Sequence, residues 1–514
     1  MSATTMPAIT VPAITVPDDA NVYSALVAPV RDTGRIFMEN ADGRVIRFGE
    51  VASITARYAG LLAREGVGKG DFVAGILEKS PEAVLLYLAA CRLGAVYVPV
   101  HIGLTDAEIS HILGDARPKL VVCDPMRENV VRAAGCKALT LDAGGTGTLI
   151  DRSETLPAEH ALASVAPSDP NAMVYTSGTT GRPKGALLSA GSVIWNARSL
   201  AACWGITQAD TLLHANPMAY GLFGTTTPAL AGGAAMILLP KFEAESVLAA
   251  LPRATIFAGV PTYYARLMAD ARFDRALCAG MRLFVTGSAP MRPDAFAAFT
   301  ERSGHRLLDR YGLTEVLIAT SNRPDSSRRP DTSGLPLPGS AIRIVDEQSE
   351  LVPAGSVGMI ELRQPYPFLG YWQDPDKTAQ AFRNGWFRTG DFGRLDEQGY
   401  VSVLGRGADL IISGGLNVYP REVEAAVNAL DGVIESAVIG VPHADFGEAV
   451  LAVVQLASGT EGFDTSAAIV TLKRSLAGYK VPKRIELVAE MPRNTLGKIQ
   501  KNLLKQRFGG AFRG

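Results

Sequence analysis

Short β-rich runs alternate with helical patterns through much of residues 50–405, and no other feature limits the fold as strongly. The stretch "DFVAGILEK" (71–79) reads as a strand. "SPEAVLLYLAACRLGAVYVPV" then reads as a helix capped by Ser80 with Pro81 at its first position, followed by a second strand. "PKLVVCD" and "AMVYTS" repeat the strand pattern, and "ATIFAGVP" and "MRLFVTGS" repeat it again, each ahead of a helical segment. Parallel strands need a crossover between them, so this alternation predicts α/β layers on largely parallel sheets.

The texture changes after about residue 335. Gly, Pro and short strands such as "GMIELR" and "YVSVLGR" predict a small β-rich subdomain. The last hundred residues read helix, strand, strand, helix, strand, from "PREVEAAVNAL" through "IESAVIGVP", "EAVLAVVQL" and "SAAIVTLKRSLAG". That is a compact α+β module with its own core. The expected organisation is an extended, Pro-punctuated arm over 1–20, a large domain over 21–404 and a C-terminal domain over 410–514, with the boundary near "LGRGADLI". The arm holds a tandem PAITV repeat whose role the sequence does not reveal.

One stretch suits no packed core. "YTSGTTGRPKG" (175–185) combines hydroxyls, glycines and one cation. Gly178, Gly181 and Gly185 let backbone approach an anion closely, while Thr176, Ser177, Thr179 and Thr180 supply hydroxyl donors. Lys184 can neutralise a β- or γ-phosphate. The spacing is not GxxxxGK[ST], so this is not a Walker A loop, and alone it also fits a polar surface turn. Four further stretches carry candidates: "RYGLTE" (310–315) with Tyr311 and Glu315, "WFRTGD" (386–391) with Asp391, "GRGADLIISGGLNVYPREVE" (405–424) with Arg406, Gly414 and Gly415, and "PRNTLGKIQK" (492–501) with Lys498. Each alone reads more readily as a turn, a solvated helix start or a surface lysine than as a site.

Composition removes several classes of function. A net charge of −1 gives no basic excess for nucleic acid or anionic membrane. Five scattered cysteines without a CxxC argue against a disulfide framework or zinc site and predict a reducing cytoplasm. Six histidines make a His-based metal centre improbable. The N-terminus lacks a basic region and a long apolar core, so neither a signal peptide nor membrane insertion is expected.

Taken together and in this order, the motifs resemble the adenylate-forming superfamily of acyl-CoA synthetases, luciferases and peptide-synthetase adenylation domains. The resemblance covers essentially the whole chain after the arm. "LLPKFE", "AGVPTYYARL", "MRLFVTGSAPM", "AVIGVPHADFGEAV" and "PRNTLGKIQKNLL" look most like its malonyl-CoA synthetase branch. The resemblance implies a large N-terminal domain of layered α/β subdomains plus a small β-rich subdomain, and a small mobile α+β C-terminal domain. It implies two half-steps. A carboxylate attacks the α-phosphate of ATP to give acyl-AMP and pyrophosphate; CoA thiolate then displaces AMP.

Under that resemblance Thr176, Ser177, Gly178, Thr179, Thr180, Gly181 and Lys184 hold the phosphates, and Thr176 and Glu315 help hold Mg²⁺. Gly287, Ser288, Ala289 and Pro290 frame the adenine with Tyr311, Gly312 and Thr314. Asp391 and Arg406 bind the ribose. Lys498 reaches between the acid and the α-phosphate, with Lys184 and Glu315 as the other catalytic groups. Gly414 and Gly415 line a pantetheine tunnel for CoA after the C-terminal domain rotates about a hinge at 405–409. The family usually has Asp or Lys where this hinge has Ala408. Lys498 also resembles lysines that a protein acetyltransferase silences.

The acid is less constrained. The acyl pocket is expected from 217–224, 259–266, 286–290 and 313–319, with Met218, Tyr220, Gly259 and Arg266 as substrate contacts. A dicarboxylate needs a cation, for which Arg266 and Arg282 are candidates. The branch usually carries His-x-His-Gly-Leu where this chain has "MAYGLFG", so Met218 and Tyr220 replace both histidines. Malonate or methylmalonate ranks first, a short branched or aromatic monocarboxylate second. An enzyme loading a carrier protein in trans, a non-catalytic nucleotide-binding protein and a phosphoryl-transfer enzyme releasing ADP are the rival classes; no carrier domain is expected after the Lys498 segment.

Overall fold

The computed structural model describes residues 13–30, 32–176, 183–287, 291, 293–325, 328–330, 332–413, 416–443, 445–460, 462–494 and 497–512. By packing, the chain forms two units. The first comprises residues 1–342 and 362–387, the second 343–361 and 388–514.

Two sheets carry the first unit. One has seven strands in the order Gly370–Tyr371, Lys184–Ser189, Pro170–Thr176, Val96–Val100, Phe72–Ile76, Leu120–Cys123 and Ala138–Thr140. Its last five strands are parallel, and the first two run antiparallel along one edge. The crossover helix Pro81–Leu93 shows how the sequence dictates this layer. Ser80 Oγ caps it, Pro81 opens it, and Gly94 ends it at φ 64°, a left-handed conformation that favours glycine. Every residue of that helix is buried, as an interlayer helix requires.

The other sheet has nine strands, and its centre is a run of six parallel ones: Leu307–Leu313, Leu283–Thr286, Ile256–Gly259, Thr211–His214, Ala235–Leu238 and Ile36–Asn40. The α/β layering expected from the alternation is therefore present. One element escaped the sequence reading. "KGALLS" forms a strand, Lys184–Ser189, before the helix Ala190–Trp204 that Ser189 caps. Beyond residue 13 the arm lies against the first unit. Ile14 and Val16 pack on its core, and Arg198 Nη1 donates to Thr15 O at 2.7 Å.

The second unit is α+β. Gly447–Leu456 lies between Val433–His443 and Ile411–Ser413, both antiparallel to it, and also pairs in parallel with Arg484–Val488. Helices Pro420–Asn428, Thr465–Leu472 and Lys501–Phe508 belong to this unit. The ribbon Trp386–Leu395 and Val401–Arg406 joins it because Arg421 donates to Val403 O at 2.7 Å and Phe392 rests against Tyr419. The packing division thus falls upstream of residue 404, the boundary read from the texture of the sequence.

Candidate active site

In the first unit, the antiparallel register sets Thr176 opposite Lys184. The turn between them holds Ser177, Gly178, Thr179, Thr180 and Gly181, which lie outside the described residues. Gly185 follows without a side chain because a Cβ there would lie 2.6 Å from Met173 Sδ. Lys184 Nζ reaches Asp374 Oδ2 at 2.8 Å. Asp374 also caps the helix Pro375–Ala381 by accepting from Lys377 N at 3.1 Å. The lysine pulls the Asp374 pKa below its ordinary range, and the aspartate raises that of Lys184. Burial lowers the Lys377 pKa, and the neighbouring Lys184 adds to the effect.

The network continues to the second predicted catalytic residue. Lys377 Nζ stands 5.0 Å from the centre of the Tyr371 ring, and Tyr371 Oη donates to Glu315 Oε1 at 2.7 Å. Glu315 sits in a tight turn between the strands Leu307–Leu313 and Leu317–Ser321, paired at Leu313 and Leu317. Only glycine fits at 312, since a Cβ would come 2.0 Å from Leu317 O. The fold thus gathers Lys184 and Glu315, with Thr176 opposite Lys184 and Tyr311, Gly312 and Thr314 leading into the Glu315 turn. Asp374, Lys377 and Tyr371 were missed by the motif reading. Their signal was the Asp-Pro step of "GYWQDPDKT", a helix start anchored beside the strand that pairs with Lys184–Ser189.

A second feature lies at the C-terminal ends of the parallel strands, where ligands bind in open α/β sheets. Arg310 is half-buried, and its Nε is enclosed with no hydrogen-bond partner among the described residues. Gly287, just beyond Leu283–Thr286, makes room for it; a Cβ there would stand 2.8 Å from that Nε. A Cβ on Gly224 would stand 3.7 Å from Arg310 Nη2. Gly224 belongs to a π-helical turn, Leu222–Thr226, a geometry common at functional sites. Thr286 Oγ1 is likewise buried and unpartnered among the described residues. Burial lowers the Arg310 pKa.

The other expected pocket residues distribute unevenly. Met218 is buried at the start of the helix Met218–Gly221, and the side chain of Tyr220 lies outside the described set. Gly259 ends its strand against the Tyr263 ring. Ser288, Ala289 and Pro290 lie outside the described residues. Arg266 is exposed on the helix Pro261–Met268. Arg282 stands at the opposite, N-terminal end of its strand and grips Asp210 through Nε at 3.0 Å and Nη2 at 2.9 Å. Neither matches the enclosed, unpartnered state of the Arg310 Nε. The sequence signal for that residue was a charged pair, Asp309-Arg310, inside a strand of an otherwise apolar sheet.

In the second unit, Asp391 and Arg406 face each other on paired strands, with Nε 3.4 Å from Oδ1. Asp391 is buried, and its backbone N–H donates to Thr389 Oγ1 at 3.0 Å. Ala408 lies in a 3₁₀ turn, Gly407–Asp409, with its side chain outside the described set; Gly414 and Gly415 are outside it altogether. Lys498 is exposed on a tight turn.

Two sheets rich in parallel strands, a lysine paired with Asp374 and a carboxylate on a hairpin make up the candidate site. Comparison with known proteins gives the class. The family model for the AMP-binding enzyme matches residues 26–372, and that for the AMP-binding enzyme C-terminal domain matches residues 422–498. The chain belongs to the AMP-binding, adenylate-forming enzyme family. It is 34% identical to an indoleacetate–CoA ligase of Aromatoleum aromaticum over 90% of this chain and 93% of that one. It is 30% identical to a malonate–CoA ligase of Arabidopsis thaliana, over 91% and 85%. The structure of ATP-bound MatB from Rhodopseudomonas palustris superposes with a TM-score of 0.93 at 41% identity, over 96% of this chain and all of that one. The chain is accordingly an acid–thiol ligase, an AMP-forming acyl-CoA synthetase near the malonyl-CoA synthetases. Among the described residues no helix is long and apolar enough to cross a membrane.

Proposed function

We propose that this ligase activates a small dicarboxylic acid, malonate or methylmalonate, and transfers it to CoA. Arg310 carries the reading. It stands half-buried at the C-terminal ends of the parallel strands, and a second carboxylate on the substrate is an anion that its guanidinium could meet there.

The chemistry follows from charge. The reacting carboxylate is ionised at neutral pH, so the first half-step needs no general base and no catalytic histidine. It needs cations, because two anions must approach. Lys184 and Lys377 place two ammonium groups beside the phosphate turn, with Asp374 as their counter-ion before the nucleotide arrives. Lys498 adds its charge at the reacting carboxylate. Asp391 accepts from the ribose hydroxyls, and Arg406 holds that carboxylate in place. Glu315 and Thr176 offer hard oxygen donors of the kind Mg²⁺ takes together with substrate phosphates, and Tyr371 fixes the Glu315 carboxylate for that role. When bound, Mg²⁺ neutralises charge on the phosphate oxygens. Gly414 and Gly415 are assigned to CoA, and residues 405–409 to the hinge between the half-steps.

A second reading has its own support. Met218 is buried where the related branch has histidine, and the relatives include ligases for indoleacetate and ferulate. An apolar monocarboxylate would use that side of the pocket. Thioester formation with ATP and Mg²⁺ across malonate, methylmalonate, acetate, isobutyrate and benzoate separates the two. Malonate or methylmalonate is expected to lead. Arg310→Met should lower kcat/KM for that acid about a hundredfold, equivalent to roughly 3 kcal/mol, while leaving isobutyrate within a few fold. A leading monocarboxylate that is insensitive to Arg310→Met would assign the pocket to the second reading.

A further inference from the structure

The turn that bears Lys498 is built like a small clasp. Arg493 and Ile499 form an antiparallel bridge at its base. Above it, Asn494 N donates to Lys498 O at 2.9 Å, Gly497 N donates to Asn494 O at 2.8 Å, and Lys498 N donates to Asn494 Oδ1 at 2.9 Å. Gly497 takes φ 73°, which closes the turn. Its two feet are tied by charge to different elements. Arg493 Nη1 donates to Gly497 O at 2.7 Å, while Nη2 pairs with Glu435 on the strand Val433–His443. Three residues beyond Lys498, Lys501 Nζ meets Glu424 Oε1 at 2.6 Å, and that same oxygen accepts from Val438 N at 2.9 Å. The Lys501 and Glu424 side chains are only 18% and 15% exposed, so solvent screens this pair less than most surface pairs.

From this arrangement we infer that Arg493 and Lys501 are positioning residues, holding the Lys498 turn through Glu435 and Glu424 for the acid-activating half-reaction. The inference rests on the role proposed above for Lys498. A flexible side chain delivers its charge usefully only from a fixed backbone, and a 1 Å displacement can cost about a hundredfold in rate. Glu435 and Glu424 sit on a strand and a helix of the second unit, so the clasp is tied to that unit's sheet and core. The thioester half-reaction does not use Lys498 and is insensitive to the clasp.

The test uses the full chain and measures the half-reactions separately. The first is acid-dependent exchange of pyrophosphate into ATP, with malonate or the leading acid of the panel. The second is CoA-dependent consumption of the synthetic adenylate of the same acid. Arg493→Ala and Lys501→Met should each slow the exchange about ten- to a hundredfold in kcat, with KM for ATP little changed. Both should leave the second half-reaction within about twofold, which also reports that the chain has folded. Arg493→Lys keeps the charge that meets Glu435 and should recover part of the loss. Equal losses in both half-reactions, or no loss in either, would overturn the inference. Lys498→Ala separates it from the reading beneath: if that variant still exchanges pyrophosphate at the native rate, the role of Lys498 fails, whereas loss in Lys498→Ala without loss in Arg493→Ala and Lys501→Met removes only the clasp.

Discussion

At the scale of single residues, the network that joins Lys184 to Glu315 turns on one hydroxyl. Tyr371 is the group that orients Glu315, through a 2.7 Å hydrogen bond. Partners of this kind tune the ligand they hold, commonly by ten- to a hundredfold in metal affinity. Tyr371→Phe should therefore raise the Mg²⁺ concentration needed for half-maximal activity by about tenfold while barely moving the KM for the acid. A Mg²⁺ titration at saturating ATP reads this directly, and an unchanged midpoint would remove Tyr371 from the site. The residue scale is also where the sequence was most unevenly legible. Lys184 and Glu315 were singled out because the motifs that carry them resemble those of the family. Tyr371, Asp374 and Lys377 were not, because their significance lies in a contact some 190 residues from Lys184, set by the pairing of Gly370–Tyr371 with Leu187 and Ala186. Arg310 was passed over although it adjoins Tyr311, since nothing in a one-dimensional string shows that Gly287 makes room for it.

At the scale of elements, the nine-stranded sheet divides its labour between its two edges. Arg310, Gly287 and Gly259 gather toward the C-terminal ends of the parallel strands, while Asp210 and Arg282 stand at the N-terminal ends. Burial pushes the Asp210 pKa up, but Arg282, the Thr207 N–H and the Thr255 hydroxyl outweigh it and hold the carboxylate below its ordinary range. A depressed folded pKa means that the stabilisation is complete above the unfolded value, about 3.9, and fades as pH falls through the folded one. Asp210→Asn should thus cost about 1–3 kcal/mol at pH 7, a figure discounted because the Arg282 side chain is 37% exposed. The gap from the parent protein should close as pH drops below about 4. Thermal melts at pH 7 and pH 3 measure it; a gap that persists unchanged in acid contradicts the assignment. The strand and helix alternation made these elements readable, including the Ser80–Pro81 helix start. The strand Lys184–Ser189 was hidden because its partner lies across a loop whose composition announces a ligand, not a hairpin.

At the scale of the whole molecule, the two half-steps ask one chain to serve two reactions. Ala408, in the 3₁₀ turn Gly407–Asp409, stands where the family usually places a polar residue at its hinge. With residues 405–409 as the proposed hinge, Ala408→Lys should alter the thioester half-reaction several-fold more than the exchange reaction, because only the former would follow a change of orientation. Single-turnover rates of both steps compare directly, and an unchanged ratio rejects a hinge role for this position. The helix–strand texture of the last hundred residues exposed the α+β unit. It did not reveal that the unit also claims residues 343–361 and 388–404, because membership is decided by packing such as that of Arg421 on Val403.

The path of the chain sets a timetable for synthesis. Because it leaves and re-enters the first unit, residues 343–361 emerge from the ribosome before most of the unit they belong to exists. At about 5–20 residues per second, the wait until the last strand and helix appear is roughly 7–30 s. The strand Gly358–Arg363 has its neighbour Ala341–Val345 at once but waits roughly 2–6 s for Trp386–Leu395 on its other side, and until then it presents an open edge of the kind that pairs with other chains.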